Sequence, residues 1–97
     1  MEFVYIIKSP KENFLETGTP EEFAVMSEHF EYLKILLKEK ILILAGPETN
    51  GKFGLCVFEA ENMDEAIKIT ENDPSVKKGV MNYELYPYRV SLLRGRE

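Results

Sequence analysis

Residues 41–58 read ILILAGPETNGKFGLCVF, two short apolar runs, Ile41 to Ala45 and Phe53 to Phe58, separated by Gly46-Pro47 and Asn50-Gly51. β-Branched and aromatic residues in runs this short, bounded by Gly, Pro and Asn, are the pattern of strands. Asn-Gly between them marks a hairpin connection, although the loop is longer than two residues and its turn type stays open. A central hairpin needs partners, and the chain supplies a helix-like and a strand-like segment on each side of it.

Upstream, Thr19-Pro20-Glu21-Glu22 announces a helix. Thr19 is the N-cap, Pro20 suits the first helical position, and Glu22 completes a capping box while both glutamates favour the positive end of the helix dipole. Phe23, Met26, Phe30, Leu33 and Leu37 then recur at three- and four-residue spacing, with Leu36 widening the stripe, so the helix runs to about Glu39. Before it, Phe3 to Lys8 is a strand stopped at Ser9-Pro10, and Lys11 to Gly18 reads as a surface loop. Downstream, Asn62 caps a second helix, with Met63, Ala66, Ile67 and Thr70 on its inner side, ending near Asn72. Ser75 to Gly79 is a short turn, and Tyr83, Leu85 and Pro87 alternate with Glu84, Tyr86 and Tyr88 in a last strand. The stretch from about 90 to 97 is expected to be a loosely held basic tail of a single domain spanning 1–97.

The order strand, helix, strand, strand, helix, strand is a split βαβ unit repeated, which gives an α+β, ferredoxin-like βαββαβ fold. Two helices cover one face of a four-stranded antiparallel sheet. The other face would leave Val4, Ile6 or their neighbours in water, and pairing of two copies through it is the natural remedy.

Composition narrows the function. In 97 residues, 17 acidic side chains face 12 basic ones for a net charge of −5, the wrong sign for a protein that must displace counterions from phosphates. Lys52-Phe53-Gly54-Leu55 on the third strand departs from the RNA-recognition strand motif: no Gly separates the basic residue from the aromatic, and Leu55 stands where a base would stack. No apolar run approaches the ~20 residues of a membrane span, and the N-terminus lacks a signal peptide's basic region and cleavage site. The single cysteine, Cys56, cannot form an internal disulfide and lies in an apolar run, so it is read as core in a cytoplasmic protein. Glycine-rich phosphate loops and metal-ligand spacings are absent from the sequence, so neither cofactor nor metal is expected.

His29, the only histidine, falls on or beside the apolar stripe of the first helix. It is either a core histidine satisfied by a carbonyl or an acid/base group. Asp73 has the same two faces: before Pro74 an Asp commonly bonds its own backbone, yet antiparallel helices would bring the end of the second near His29, where a carboxylate can fix the imidazole tautomer. Tyr32, one turn from His29, is a candidate for the same space or a packing residue with a wet tip.

His29 followed by Tyr32-Leu33 and Leu36, Ile41-Leu42, Ala45-Gly46-Pro47, Asp64-Glu65-Ala66, Asp73-Pro74, Gly79-Val80 and the Tyr-rich last strand together resemble the YciI-like (YCII-related) family over nearly the whole chain. The resemblance implies a homodimeric α+β barrel with His29 and Asp73 as the active-site pair beside a pocket for a small molecule. Gly46 and Pro47 match the family and are read as structural turn residues that line the pocket, while Tyr32, by its position on the helix, and Ser75, after Asp73-Pro74, are further substrate-binding candidates. Some relatives eliminate chloride from chlorinated aromatic intermediates. Lys40 stands where a Gly is frequent, and Ser75 follows Asp-Pro where an aromatic is frequent. The expectation is a cofactor-independent acid/base enzyme of lyase or isomerase type, with a non-catalytic ligand-binding or accessory homodimer as the alternative.

Overall fold

The computed structural model describes residues 1–96; Glu97, the end of the expected tail, lies outside the described residues. The elements are β1 (Glu2–Lys8), α1 (Phe14–Thr17), α2 (Pro20–Lys38), β2 (Leu42–Pro47), β3 (Gly54–Glu59), α3 (Met63–Glu71), α4 (Pro74–Lys77) and β4 (Asn82–Tyr88). The four strands form one antiparallel sheet in the order β2-β3-β1-β4, which is the expected ferredoxin-like arrangement. Two elements depart from expectation. The Lys11–Gly18 loop contains the one-turn helix α1, and the Ser75–Gly79 turn is largely the one-turn helix α4.

Alternation along the central strands sorts the two sheet faces. Phe3, Tyr5 and Ile7 of β1, with Cys56 and Phe58 of β3, are buried against the helices. Val4 and Ile6 register with Val57 and Leu55 on the opposite face, flanked on β4 by Tyr86 and Glu84; contrary to expectation Val4 is not left in water, since it and Val57 are buried within the single chain, while Ile6 and Leu55 are half-buried. In β2 the register slips by one between Leu42 and Leu44, so that Leu42 pairs with Phe58 and Leu44 with Val57. This bulge sends Leu42 into the core and Leu44 to the open face, and it turns Ala45 toward the helix side beside Cys56.

The capping box of α2 forms as expected: Glu22 N–H donates to Thr19 Oγ1 at 3.1 Å, and Thr19 N–H donates to Glu22 Oε1 at 2.9 Å. The helix buries a narrower stripe than the spacing predicts. Leu33 and Leu36 are buried, with Val25, Met26 and Tyr32 packed against the core, whereas Phe30 and Leu37 are exposed and Phe23 is only partly covered. The two phenylalanines stand over a concave site rather than over packed sheet. At the far end, Ile41 N–H donates to Leu36 O and Lys40 N–H to Leu37 O, a Schellman closure that places Lys40 at a φ of 64°.

The last strand feeds a segment tied back to β1. Val90 N–H donates to Glu2 Oε1 at 2.8 Å, and the Arg96 guanidinium donates to Glu2 Oε2 at 3.2 Å. These contacts hold the Glu2 carboxyl below its ordinary range, the Val90 hydrogen bond being the largest cause.

Candidate functional site

The site grows from the junction of α3 and α4. Asp73 is the N-cap of α4, and Pro74 starts it, the position where Asp satisfies free backbone N–H groups. Its Oδ1 accepts from Ser75 N–H and from Ser75 Oγ–H, each at 2.9 Å. Its Oδ2 points away from the cap, accepting from Tyr5 Oη–H at 2.7 Å and contacting His29 Nδ1 at 2.7 Å. Asp73 thus caps its own backbone with one carboxylate oxygen and meets the Tyr5 hydroxyl and the His29 ring with the other.

Burial is complete at Asp73, Tyr5 carries no exposed surface, and the His29 side chain retains 13% exposure. Loss of solvent on its own would raise the Asp73 pKa. The hydrogen bond and charge of His29, then the Tyr5 hydroxyl and the Ser75 N–H, outweigh that effect and hold it below the usual carboxylate value. An ionised carboxylate can only accept hydrogen bonds, so His29 Nδ1 must carry the proton directed at Oδ2. That fixes the tautomer and leaves Nε2 as the nitrogen not used by Asp73. Burial pushes the Tyr5 phenol well above its ordinary range, with Cys56 and Asp73 adding to the effect. Burial likewise pushes the Cys56 thiol up to about 12, so this cysteine is a neutral thiol and not a nucleophile.

His29 lies in the wall of a pocket of about 350 Å³ between α2, the β2–β3 hairpin and the α1 segment. Phe23, Met26, Phe30 and Leu33 come from α2, and Ala45, Gly46 and Pro47 from β2. Phe14 and Leu15 close a further side. Phe14 is buried and packs against Phe23 with ring centroids 5.2 Å apart and the rings tilted by 56°, and Leu15 sits so close to Gly51 that a Cβ there would lie 2.6 Å from Leu15 Cγ. Gly51, at a φ of 76°, is thus required both by the turn and by the approach of α1.

The expected site residues separate into two groups. His29, Gly46 and Pro47 line the pocket. Asp73 and Ser75 sit behind His29, and Ser75 is fully buried with both its donors on Asp73. Tyr32 donates its hydroxyl to Ile69 O at 2.6 Å, fastening α2 to α3, and burial, then Asp73 and Glu39, pushes its phenol up to about 12. Tyr5 was missed, although a tyrosine on the helix-facing side of a central strand needs a partner for its hydroxyl. Phe14 and Leu15 were missed because a four-residue helix shows no periodicity. Among the described residues no group of three or more His, Cys, Asp or Glu side chains is placed to hold a metal ion, and no helix is long and apolar enough to cross a membrane.

Comparison with known proteins agrees with this architecture. The uncharacterized protein YjpA of Bacillus subtilis (strain 168) is 39% identical over 51 residues, which make up 53% of this chain and 60% of that protein. The solved structure of 5-chloro-2-hydroxyhydroquinone dehydrochlorinase (TftG) from Burkholderia phenoliruptrix AC1100, in complex with 2,5-dihydroxybenzoquinone, shares the fold. Its TM-score is 0.69 at 21% identity, over 92% of this chain and 94% of that one. The family model of the YCII-related domain matches residues 1–89, from β1 through the last strand, and the chain belongs to that family.

Proposed function

We propose that the protein is a small-molecule enzyme in which His29 performs general acid/base chemistry and Asp73 orients it. One observation carries this reading: His29 Nδ1 is held 2.7 Å from a fully buried carboxylate while the same ring lies in the wall of a ligand-sized pocket. In the neutral ring with the proton on Nδ1, Nε2 presents its lone pair. It takes a proton from a hydroxyl or from a carbon beside a carbonyl, and the imidazolium formed is stabilised by Asp73. Returning that proton to another atom completes an isomerisation; departure of an anion from the neighbouring carbon completes an elimination, with the proton released afterwards to solvent. The shared fold with a dehydrochlorinase supports the elimination variant. No metal or organic cofactor enters this scheme. The lone buried thiol suits a reducing cytoplasm, and the apolar residues on the open sheet face support a homodimer.

The test is turnover of a library of carbonyl, lactone and halogenated small molecules. Conversion should fall by about 10²–10⁴-fold in His29→Gln, with the variant's near-ultraviolet circular dichroism unchanged. Conversion that survives in His29→Gln, or no conversion of any member, overturns the proposal. The wall contains no Asp, Glu, Lys or Arg, and that favours a second reading, a dimer that binds a small ligand without transforming it.

A further inference from the structure

The walls of the His29 pocket specify their occupant by size, shape and charge. At about 350 Å³ the pocket is a little over twice the ~150 Å³ cavity that accommodates benzene. That is room for one substituted ring or two fused ones. Phe14, Phe23, Phe30 and Phe53, with Met26 and Met81, contribute aromatic faces and polarisable sulfur, surfaces that pack favourably on a flat π-system. Phe30 remains 61% exposed and Leu15 59%, so part of this apolar lining is open to a ligand.

Charge is excluded on both sides. The polar wall groups are Ser9, His29 and Cys56, and Cys56 is a neutral thiol. His29, when protonated, is paired with Asp73 at 2.7 Å, so the two together present no net charge to an anion. Lys11 and Lys52 border a separate polar depression beyond Ser9, Phe14 and Gly51, and Lys11 is already held by Glu22 at 2.6 Å. A carboxylate or ammonium seated among the phenylalanines would lose its water with no countercharge in return.

We propose that the pocket takes an uncharged aromatic molecule of one or two rings carrying a hydroxyl or carbonyl oxygen that meets His29 Nε2. The inference rests on the acid/base reading only for that last contact; selection by size and charge stands on the walls alone.

The experiment follows the methyl resonances of Met26 and Met81 and the ring signals of His29, the only histidine, while the full chain is titrated near neutral pH. The probes are 2-naphthol, naphthalene and 2-naphthoate. 2-Naphthol should saturate all three reporters, naphthalene should move the methionines with little effect on His29, and 2-naphthoate should bind at least about tenfold more weakly than 2-naphthol. Met26→Lys supplies the missing countercharge and should reverse the order of 2-naphthol and 2-naphthoate. Ala45→Trp, which adds bulk beside Cys56 on the helix side, should abolish binding of all three. Equal or tighter binding of 2-naphthoate to the native protein, or shifts confined to residues outside the pocket, overturns the inference. Native selectivity without turnover of any substrate overturns only the acid/base reading. Turnover confined to carboxylates, lost in His29→Gln, overturns only this one.

Discussion

Four donated hydrogen bonds converge on the carboxylate of Asp73, two on each oxygen, from Tyr5, His29 and Ser75. A buried carboxylate with fewer donors would protonate or destabilise the fold. Here the donors over-compensate for burial, and the folded-state pKa lies below the ordinary value of 3.8. Asp73→Asn replaces one acceptor oxygen by an NH2 group that must face either the Ser75 donors or the Tyr5 and His29 donors. The expected cost is about 2–4 kcal/mol at neutral pH, read as a lower urea midpoint. Because the folded pKa is depressed, the charge contributes its full stability above about pH 4, and that contribution is lost as pH falls through the folded value. The gap between wild type and Asp73→Asn should therefore narrow below about pH 4. A gap that stays constant down to pH 2 would mean that the carboxylate is not ionised in the native protein. The same substitution removes the acceptor that fixes the His29 tautomer, so ¹⁵N shifts of the single imidazole provide an independent view of the pair.

Element boundaries follow local chemistry wherever a capping group or a buried stripe is long enough to express it. The start of α2 is such a case, with Thr19, Pro20 and Glu22 fulfilling their roles. Its end carries a residual strain instead. Lys40 closes the helix in the left-handed region at a φ of 64°, a conformation that costs a residue with a Cβ roughly 1 kcal/mol or more relative to Gly. Lys40→Gly should raise stability by about 1 kcal/mol, observed as a higher urea midpoint with unchanged slope. A lower midpoint would show that the lysine side chain contributes more than the backbone strain costs. The strain itself was not legible in the sequence; its one pointer there was the family resemblance, in which Lys40 stands where a Gly is frequent. The sheet and both long helices were legible, because periodicity and split βαβ topology determine them, whereas antiparallel helices only made room for His29 to approach Asp73 and the family resemblance singled the pair out. The pocket's closing side was not legible. Helices α1 and α4 are four residues each, too short for a periodic signal, and they exist because Phe14 packs on Phe23 and Asp73 caps Ser75. The bulge in β2 was equally hidden, since alternation in Ile41 to Ala45 gives no hint of the slip that turns Ala45 toward the pocket.

One face of the sheet is covered by helices, and the other raises the question of what this molecule does in solution. Val4 and Val57 at its centre are already buried within the single chain, and the apolar surface that remains is formed by half-buried Ile6 and Leu55, with Leu44 and Tyr86 at the flanks exposed by 43% and 49%. A contiguous apolar patch on a sheet is the usual mark of an interface, and a twofold pairing of copies buries the same residues on both. Ile6 lies on a central strand, between Leu55 and Glu84, and its side is opposite the one that carries Tyr5 and the Asp73 cluster. Ile6→Asp thus tests assembly without touching the site directly. Wild type should sediment at about 22 kDa, twice the chain mass of 11.2 kDa, whereas Ile6→Asp should sediment as a single chain with its far-ultraviolet circular dichroism retained. If activity is found, its dependence on protein concentration separates two roles for the interface. Turnover per chain that falls in Ile6→Asp in parallel with dissociation would mean that pairing stabilises the pocket through the sheet. Unchanged turnover in a single-chain variant would confine the function to one protomer. A wild-type chain that sediments alone at micromolar concentration would leave the apolar sheet face without a partner of its own kind.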